Sequence, residues 1–155
     1  MHSTSPMTSL PKEQQVMTLL LDLLKQEQLL LVCADTDRLI EVTAQKTALV
    51  GNMAALAASR HLALGAAGFA AQETGMQTWI TECGNHNDAI LWRQVLDLTR
   101  EAKEINRING MLIGKQMMHT QNALNALRPN AQGGDVYGPN GQTSNAAASR
   151  RFIIG

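Results

Sequence analysis

The stretch LWRQVLDLTREAKEINRINGMLIGKQMMHTQNALNAL at residues 91–127 decides the fold. One set of its positions recurs at alternate spacings of four and three: Leu91, Val95, Leu98, Ala102, Ile105, Asn109, Leu112, Gln116 and His119. This is the heptad spacing of a coiled-coil seam, so it predicts a single long helix. We expect Asn87 or Asp88 to open this helix and Pro129 to stop it after about Leu127, giving a length of roughly 60 Å.

The C-terminal half of this predicted helix is polar where a self-sufficient bundle would carry Leu or Ile. The polar residues are Asn106, Asn109, Gln116 and His119. One interpretation is a solvated helix end with a wet core. The other is a groove that a partner helix completes, in which methionines serve as adaptable contacts. Those methionines are Met111, Met117 and Met118.

Two further helices are predicted before it. Ser9 is a candidate cap for the first helix, which has Pro11 in its first turn and reaches about Ala34. Its apolar stripe comprises Val16, Leu19, Leu20, Leu23, Leu24, Leu30, Leu31 and Ala34. The capping residues at 35–37 start a second helix that fades near Gly65. Its expected buried face comprises Leu39, Val42, Leu49, Val50, Met53, Leu56 and Ala57.

The segment between the second helix and the long helix is less regular. Residues 66–87 have a looser pattern, in which a short helix around Met76 to Ile80 is plausible. The run Gly84-Asn85-His86-Asn87 is a clear break.

The charges inside the two stripes give a register. If the first two helices pair antiparallel about Thr36–Asp37, the numbers of facing residues sum to about 73. Glu27 then faces Lys46, and Glu13 faces Arg60. For the inner pair the sequence favours two solvated charges at a stripe edge, where an exposed ion pair contributes only about 0–1 kcal/mol.

Composition excludes several classes of function. The 155 residues carry 13 basic and 13 acidic side chains, so no net charge attracts nucleic acid or an acidic membrane. Aromatic residues make up 3% of the chain, too few for base stacking. The two cysteines, together with the absence of a signal peptide or a spanning apolar run, point to the cytoplasm. We therefore expect an all-α protein with a flexible N-terminus at 1–8, a helical bundle at 9–127 and a disordered tail at 128–155.

Candidate catalytic groups are sparse. Cys83 and His86 have the spacing of metal ligands, but no second pair accompanies them, and a structural zinc site needs four ligands. Nothing beside them orients a base for nucleophilic catalysis. The Gly-Pro-Asn-Gly run at 138–141 is a turn and lacks the ending of a phosphate-binding loop. We predict neither an enzyme nor a cofactor.

Taken together, these features resemble the FlgN-type flagellar export chaperones from about Leu19 to Gln142. The carrying features are the leucine-rich first helix with Glu27, Asp37-x-Leu39, and Lys46 with Leu49. The most specific are Ile105-Asn106-Arg107-Ile108-Asn109-Gly110 followed by Leu112-Ile113, and the tail Tyr137-Gly138-Pro139-Asn140-Gly141-Gln142.

The resemblance implies three long helices, arranged as an antiparallel hairpin plus one long helix, followed by a mobile C-terminal segment. It implies a cytosolic type III secretion chaperone whose clients are the hook–filament junction proteins FlgK and FlgL. Binding would prevent premature association of the client's helices and deliver the client to the export gate, where Tyr137 would dock. The client contacts it implies are Asn106, Asn109, Leu112, Ile113, Gln116, Met117, Thr120 and Leu124.

Two other interpretations stay open on the sequence. One is a generic helical adaptor with different cargo. The other is a structural coiled-coil subunit that homodimerises through the long helix. The sequence also leaves open a weak self-association of the free protein, and the preferred junction protein.

Overall fold

A computed structural model describes residues 4–128. This part of the chain forms four helices and contains no strand: α1 (Leu10–Cys33), α2 (Thr36–Ala66), α3 (Glu73–Cys83) and α4 (His86–Leu127). The all-α class is confirmed. The plausible short helix around Met76 to Ile80 is α3, so four helices replace the three long helices that were expected. The proposed tail, including Tyr137, lies outside the described residues.

Short polar side chains set where the helices begin, although not always as the sequence suggested. The Asp35 carboxylate accepts a hydrogen bond from the Arg38 backbone N–H at 3.3 Å and so caps α2. Ser9 occupies the cap position of α1, but its hydroxyl donates to Glu13 Oε1 at 2.9 Å and makes no capping bond. The predicted cap position is therefore confirmed, but the hydroxyl does not cap the helix because a buried carboxylate one turn later accepts its hydrogen bond.

The start of α4 also differs from the prediction. Asn85 Oδ1 accepts from the Asp88 N–H, and Asp88 Oδ2 accepts from the Asn85 N–H, both at 3.0 Å. This reciprocal capping box makes Asn85 the cap, so α4 begins one residue before Asn87. Asp88 supports the cap from the first turn and does not open the helix itself.

The chain divides into two compact units, residues 1–115 and 116–155. In the first unit, α1 and α2 contact each other along their lengths. One core cluster contains Leu10, Leu64, Met76, Ile80, Trp92 and Val95. The second contains Met17, Leu20, Leu21, Leu24 and Ala102. All four helices thus contribute to the core of this unit.

Helix α3 belongs to the first core cluster because Met76 and Ile80 are buried there. A Cβ atom at Gly75 would overlap the Ala70 carbonyl oxygen, so only glycine lets the loop after α2 pass so close to α3. Further toward the N-terminus, Pro6 is buried and Met7 packs against the same cluster.

The predicted apolar stripes include several side chains that are exposed in the structure. Leu19 on α1 and Val50 on α2 are about half exposed, and Ala34 lies past the end of α1 in a left-handed conformation. Of the expected α2 face only Val42 is fully buried. Helix α1 buries many more of its side chains than α2 does, since residues of both α2 and α4 pack against it. Within residues 4–128, no helix combines the length and hydropathy needed to cross a lipid bilayer.

Candidate functional site

The outer of the two predicted charge pairs is fully buried and lies at the centre of a larger cluster. Glu13 and Arg60 are 0% and 2% exposed, and Arg60 Nε donates to both Glu13 oxygens at 3.0 and 3.2 Å. The other guanidinium nitrogens donate to the Glu73 carboxylate at 3.3 and 2.9 Å. The Arg60 guanidinium carbon also lies 4.8 Å from the centroid of the Trp92 ring. The facing of Glu13 and Arg60 is confirmed, and this cluster fixes α1, α2, α3 and α4 to one another.

Electrostatics in this cluster favour the charged forms. Burial acts to lower the pKa of Arg60, but the hydrogen bonds that Arg60 donates to Glu13 and Glu73 outweigh it and raise the pKa above its ordinary value. Burial likewise acts to raise the pKa of Glu73, but the hydrogen bonds and charge of Arg60, together with His61, lower it. The His61 Nε2 atom lies 3.2 Å from Glu73 Oε1. The roles of Glu73 and Trp92 were not predictable from the sequence pattern, because neither residue belongs to the stripe that pairs α1 with α2.

The inner charge pair is buried too. Glu27 is 2% exposed, its Oε2 lies 2.9 Å from Lys46 Nζ, and its Oε1 accepts from Asn109 Nδ2 at 2.9 Å. The facing of Glu27 and Lys46 is confirmed, but the interpretation of two solvated charges is wrong. Helix α4 packs over Glu27, and the register predicted for the hairpin of α1 and α2 did not include α4.

Asn109 holds the α4 side of this network. The same Nδ2 group donates to the Leu24 carbonyl oxygen at 2.9 Å, while the buried Asn109 Oδ1 has no hydrogen-bond partner among residues 4–128. A buried acceptor without a partner costs stability relative to an apolar side chain. Through its contacts with Leu24 and Glu27, Asn109 constrains the register of α4 against α1.

Beyond Asn109 the character of α4 changes. Between Gly110 and Arg128 no residue is buried, yet this stretch carries large exposed apolar side chains. They are Met111, Ile113, Met117, Met118, Leu124 and Leu127. These side chains give this stretch of α4 an exposed apolar surface.

The predicted client-binding residues fall into three groups. Asn109 is 1% exposed and committed to the interior of the first unit. Leu112 and Gln116 are half-buried. The exposed group is Asn106, Ile113, Met117, Thr120 and Leu124. Seven of the eight side chains are therefore at least partly accessible along α4, and one is not. Tyr137 lies outside the described residues.

A second apolar surface lies wholly within the first unit. A groove of about 530 Å³ opens between α2 and α4, with side chains of α1 as its floor. We call it the α2–α4 groove, and its apolar lining comprises Met17, Leu20, Val50, Met53, Ala54, Ala57, Trp92, Val95 and Leu96. Thr99, Lys103, Arg60 and Glu73 complete it. Sequence periodicity did not predict this groove, because it depends on how far apart two helices lie.

The cysteines take no part in these clusters. Cys33 and Cys83 are both exposed thiols. No group of three or more potential metal ligands occurs within residues 4–128. The candidate functional features of residues 4–128 are therefore the buried ion pairs and the exposed apolar helix faces.

An all-helical chain whose longest helix leaves apolar side chains uncovered is typical of proteins that bind amphipathic helices. The FlgN protein family model matches residues 1–145, and the chain belongs to the FlgN family. It is similar to the flagella synthesis protein FlgN of Proteus mirabilis, with 34% identity over 65 residues. That match covers 42% of this chain and 44% of the relative, so the chain spans less than half the length of the relative. No solved structure matches.

Proposed function

We propose that this protein is a cytoplasmic flagellar export chaperone. It binds the C-terminal helices of the hook–filament junction proteins FlgK and FlgL, prevents their premature self-association and delivers them to the type III export gate. The observation that carries the proposal is the uncovered, methionine-rich stretch of α4 after Asn109, in a member of the FlgN family.

The chemistry of that stretch suits a client that must be released. Methionine is flexible and polarisable, so Met117 and its neighbours can fit an incoming helix without a rigid pocket. A helix laid on such a surface buries its own apolar face and is shielded from other copies. The proposed contacts are Asn106, Leu112, Ile113, Gln116, Met117, Thr120 and Leu124.

Asn109 has a different part in the proposal. It is enclosed by Leu24 and Glu27, so it acts as a positioning residue and does not touch the client. By fixing the rotation of α4 against α1, it determines which side chains of the following turns are presented. The hairpin of α1 and α2 is then the support on which the long helix is held.

Client binding is tested by a charge placed on the proposed surface. Met117→Glu should weaken binding of a junction-protein C-terminal helix about tenfold or more, because it buries an unpaired carboxylate. Leu29→Glu on α1 is the matched control, since Leu29 and Met117 are 67% and 68% exposed. Equal affinities of the two variants in calorimetry would move the client away from this part of α4. A stable dimer in the absence of client would favour the structural coiled-coil alternative.

Gate docking is assigned to Tyr137. A tyrosine combines a rigid apolar ring with a hydrogen-bonding tip and is a frequent hot spot. Tyr137→Ala should leave client binding unchanged and weaken binding to the cytoplasmic domain of the export gate by about 2 kcal/mol or more. Titrating the variant against client and gate domain separately decides between the two roles. Loss of client binding alone would assign Tyr137 to the cargo surface.

A further inference from the structure

The α2–α4 groove has two walls of similar length. On α2 its lining runs from Val50 through Ala57 to Arg60, and on α4 it runs from Trp92 to Lys103. Both walls repeat at helical spacing and extend over about 15 Å, which is the length of about three turns of α-helix. Val50 and Leu96, on opposite walls, are apolar side chains that are 51% and 37% exposed.

The size of the side chains favours a closely packed helix. Ala54 and Ala57 project little from α2, so the backbone of another helix can approach that wall closely. Met17 in the floor and Met53 at the wall are flexible and can adapt to the side chains of an incoming helix. The groove therefore fits a helix with small residues on one side of its apolar face.

The charges give the groove a direction. At the Trp92 end, the two carboxylates of Glu13 and Glu73 surround the single guanidinium of Arg60, so these three side chains together carry one net negative charge. At the other end, Lys103 lines the groove and forms no ion pair with any residue between 4 and 128. A bound helix is favoured with its N-terminus at the Glu73 end and its C-terminus at Lys103.

We propose that the α2–α4 groove is a second helix-binding site, whose occupant is another amphipathic segment of the same client. This occupant is a helix of about three turns that runs parallel to α4, has small apolar residues toward Ala54 and carries a carboxylate that pairs with Lys103. The inference rests on the proposed chaperone function and deepens it. The C-terminal helix of the client binds the later turns of α4, and the second segment binds the groove.

Two linked contacts explain how a surface without deep pockets holds a client firmly. Once one helix is bound, the second is held at a high local concentration, so the affinity of the whole client exceeds that of either helix. Loss of the groove contact should therefore be visible with the intact client and invisible with its isolated C-terminal helix.

The test compares two neighbouring alanines on α2. Ala54 lines the groove and Ala55 does not, and both are exposed, so Ala54→Glu and Ala55→Glu place the same charge one residue apart. Each full-length variant is titrated with the intact junction protein and, separately, with its C-terminal helix as a peptide. We expect Ala54→Glu to weaken binding of the intact client about tenfold or more and to leave the peptide affinity unchanged. Ala55→Glu should change neither.

Further variants keep the outcome decisive. Leu96→Glu on the opposite wall should reproduce the effect if Ala54→Glu fails to fold, and Lys103→Glu should weaken the intact client alone. In a Trp79→Phe background, Trp92 fluorescence should change on addition of the intact client and not of the peptide. If wild type binds peptide and client but the groove variants lose nothing, the groove inference alone falls. If wild type binds neither, the chaperone proposal falls with it.

Discussion

The two halves of α4 share one heptad spacing and differ in what covers them. The first half, up to Asn109, buries Trp92, Val95 and Ala102 against α1 and its neighbours. The second half, from Gly110, contains no buried residue. Heptad spacing therefore predicts that a segment is helical and which of its faces is apolar. It does not predict whether the protein itself supplies the side chains that cover that face.

The change of character falls at a polar boundary. Asn109 is the last seam residue whose side chain is fully enclosed, and it is tied to Glu27 and through it to Lys46. Before this point α4 contributes buried apolar side chains to both core clusters of the first unit. After it, methionine and isoleucine side chains are exposed, and we attribute that exposure to binding.

The strongest test of this contrast truncates one large side chain in each half. Trp92→Ala should lower the free energy of unfolding by about 3–5 kcal/mol, because it leaves a cavity in the first core cluster and removes the ring beside Arg60. Met118→Ala in the second half should change it by less than about 0.5 kcal/mol. Urea denaturation followed by circular dichroism measures both. Similar losses for the two variants would mean that the second half is packed as well.

A smaller effect is expected at the boundary itself. Lys46→Met removes the cation from Glu27 and leaves that buried carboxylate with Asn109 as its remaining side-chain partner. We expect a loss of about 1–3 kcal/mol, discounted from a fully buried pair because Lys46 is partly exposed. Thermal melts of Lys46→Met and of Lys12→Met, an exposed lysine near the start of α1, give the comparison. Equal melting temperatures would show that the inner network adds nothing to the packed half.

The smallest effect concerns pH. The pKa of Glu73 is lowered in the folded state from its ordinary value of 4.5, mainly by Arg60 against the opposing effect of burial. Its contribution to stability is therefore complete above the ordinary value and is lost as the pH falls through the lower folded pKa. The stability difference between wild type and Glu73→Gln should be largest near neutral pH and should shrink below about pH 4.5. A difference that grew on acidification would contradict the assigned direction.

The spacing of apolar and charged residues was enough to predict which residues of two neighbouring helices face each other. The antiparallel register about Thr36 and Asp37 was enough to place Glu13 opposite Arg60, and Pro11, Asp35 and the apolar spacing located the helices. The burial of Glu27 could not be predicted from the pairing of α1 with α2, because α4 encloses Glu27. The same holds for Glu73, whose partnership with Arg60 depends on where α3 packs.

The start of α4 shows a second limit of prediction from sequence. Asn85, Asn87 and Asp88 are all good capping residues within four positions, and only the backbone geometry selects Asn85. The candidate client surface was predictable as a polar helix half with methionines. The enclosure of Asn109 was not, because it requires the position of the Leu24 carbonyl oxygen.

Binding of a client helix to the exposed second half of α4 can be measured by calorimetric titration of the purified full chain with the C-terminal helix of each junction protein. We expect saturable binding to at least one of them, in a 1:1 or similarly small complex, with a dissociation constant at or below tens of micromolar, equivalent to about −6 kcal/mol or stronger. Absence of binding to both helices at that concentration would contradict it.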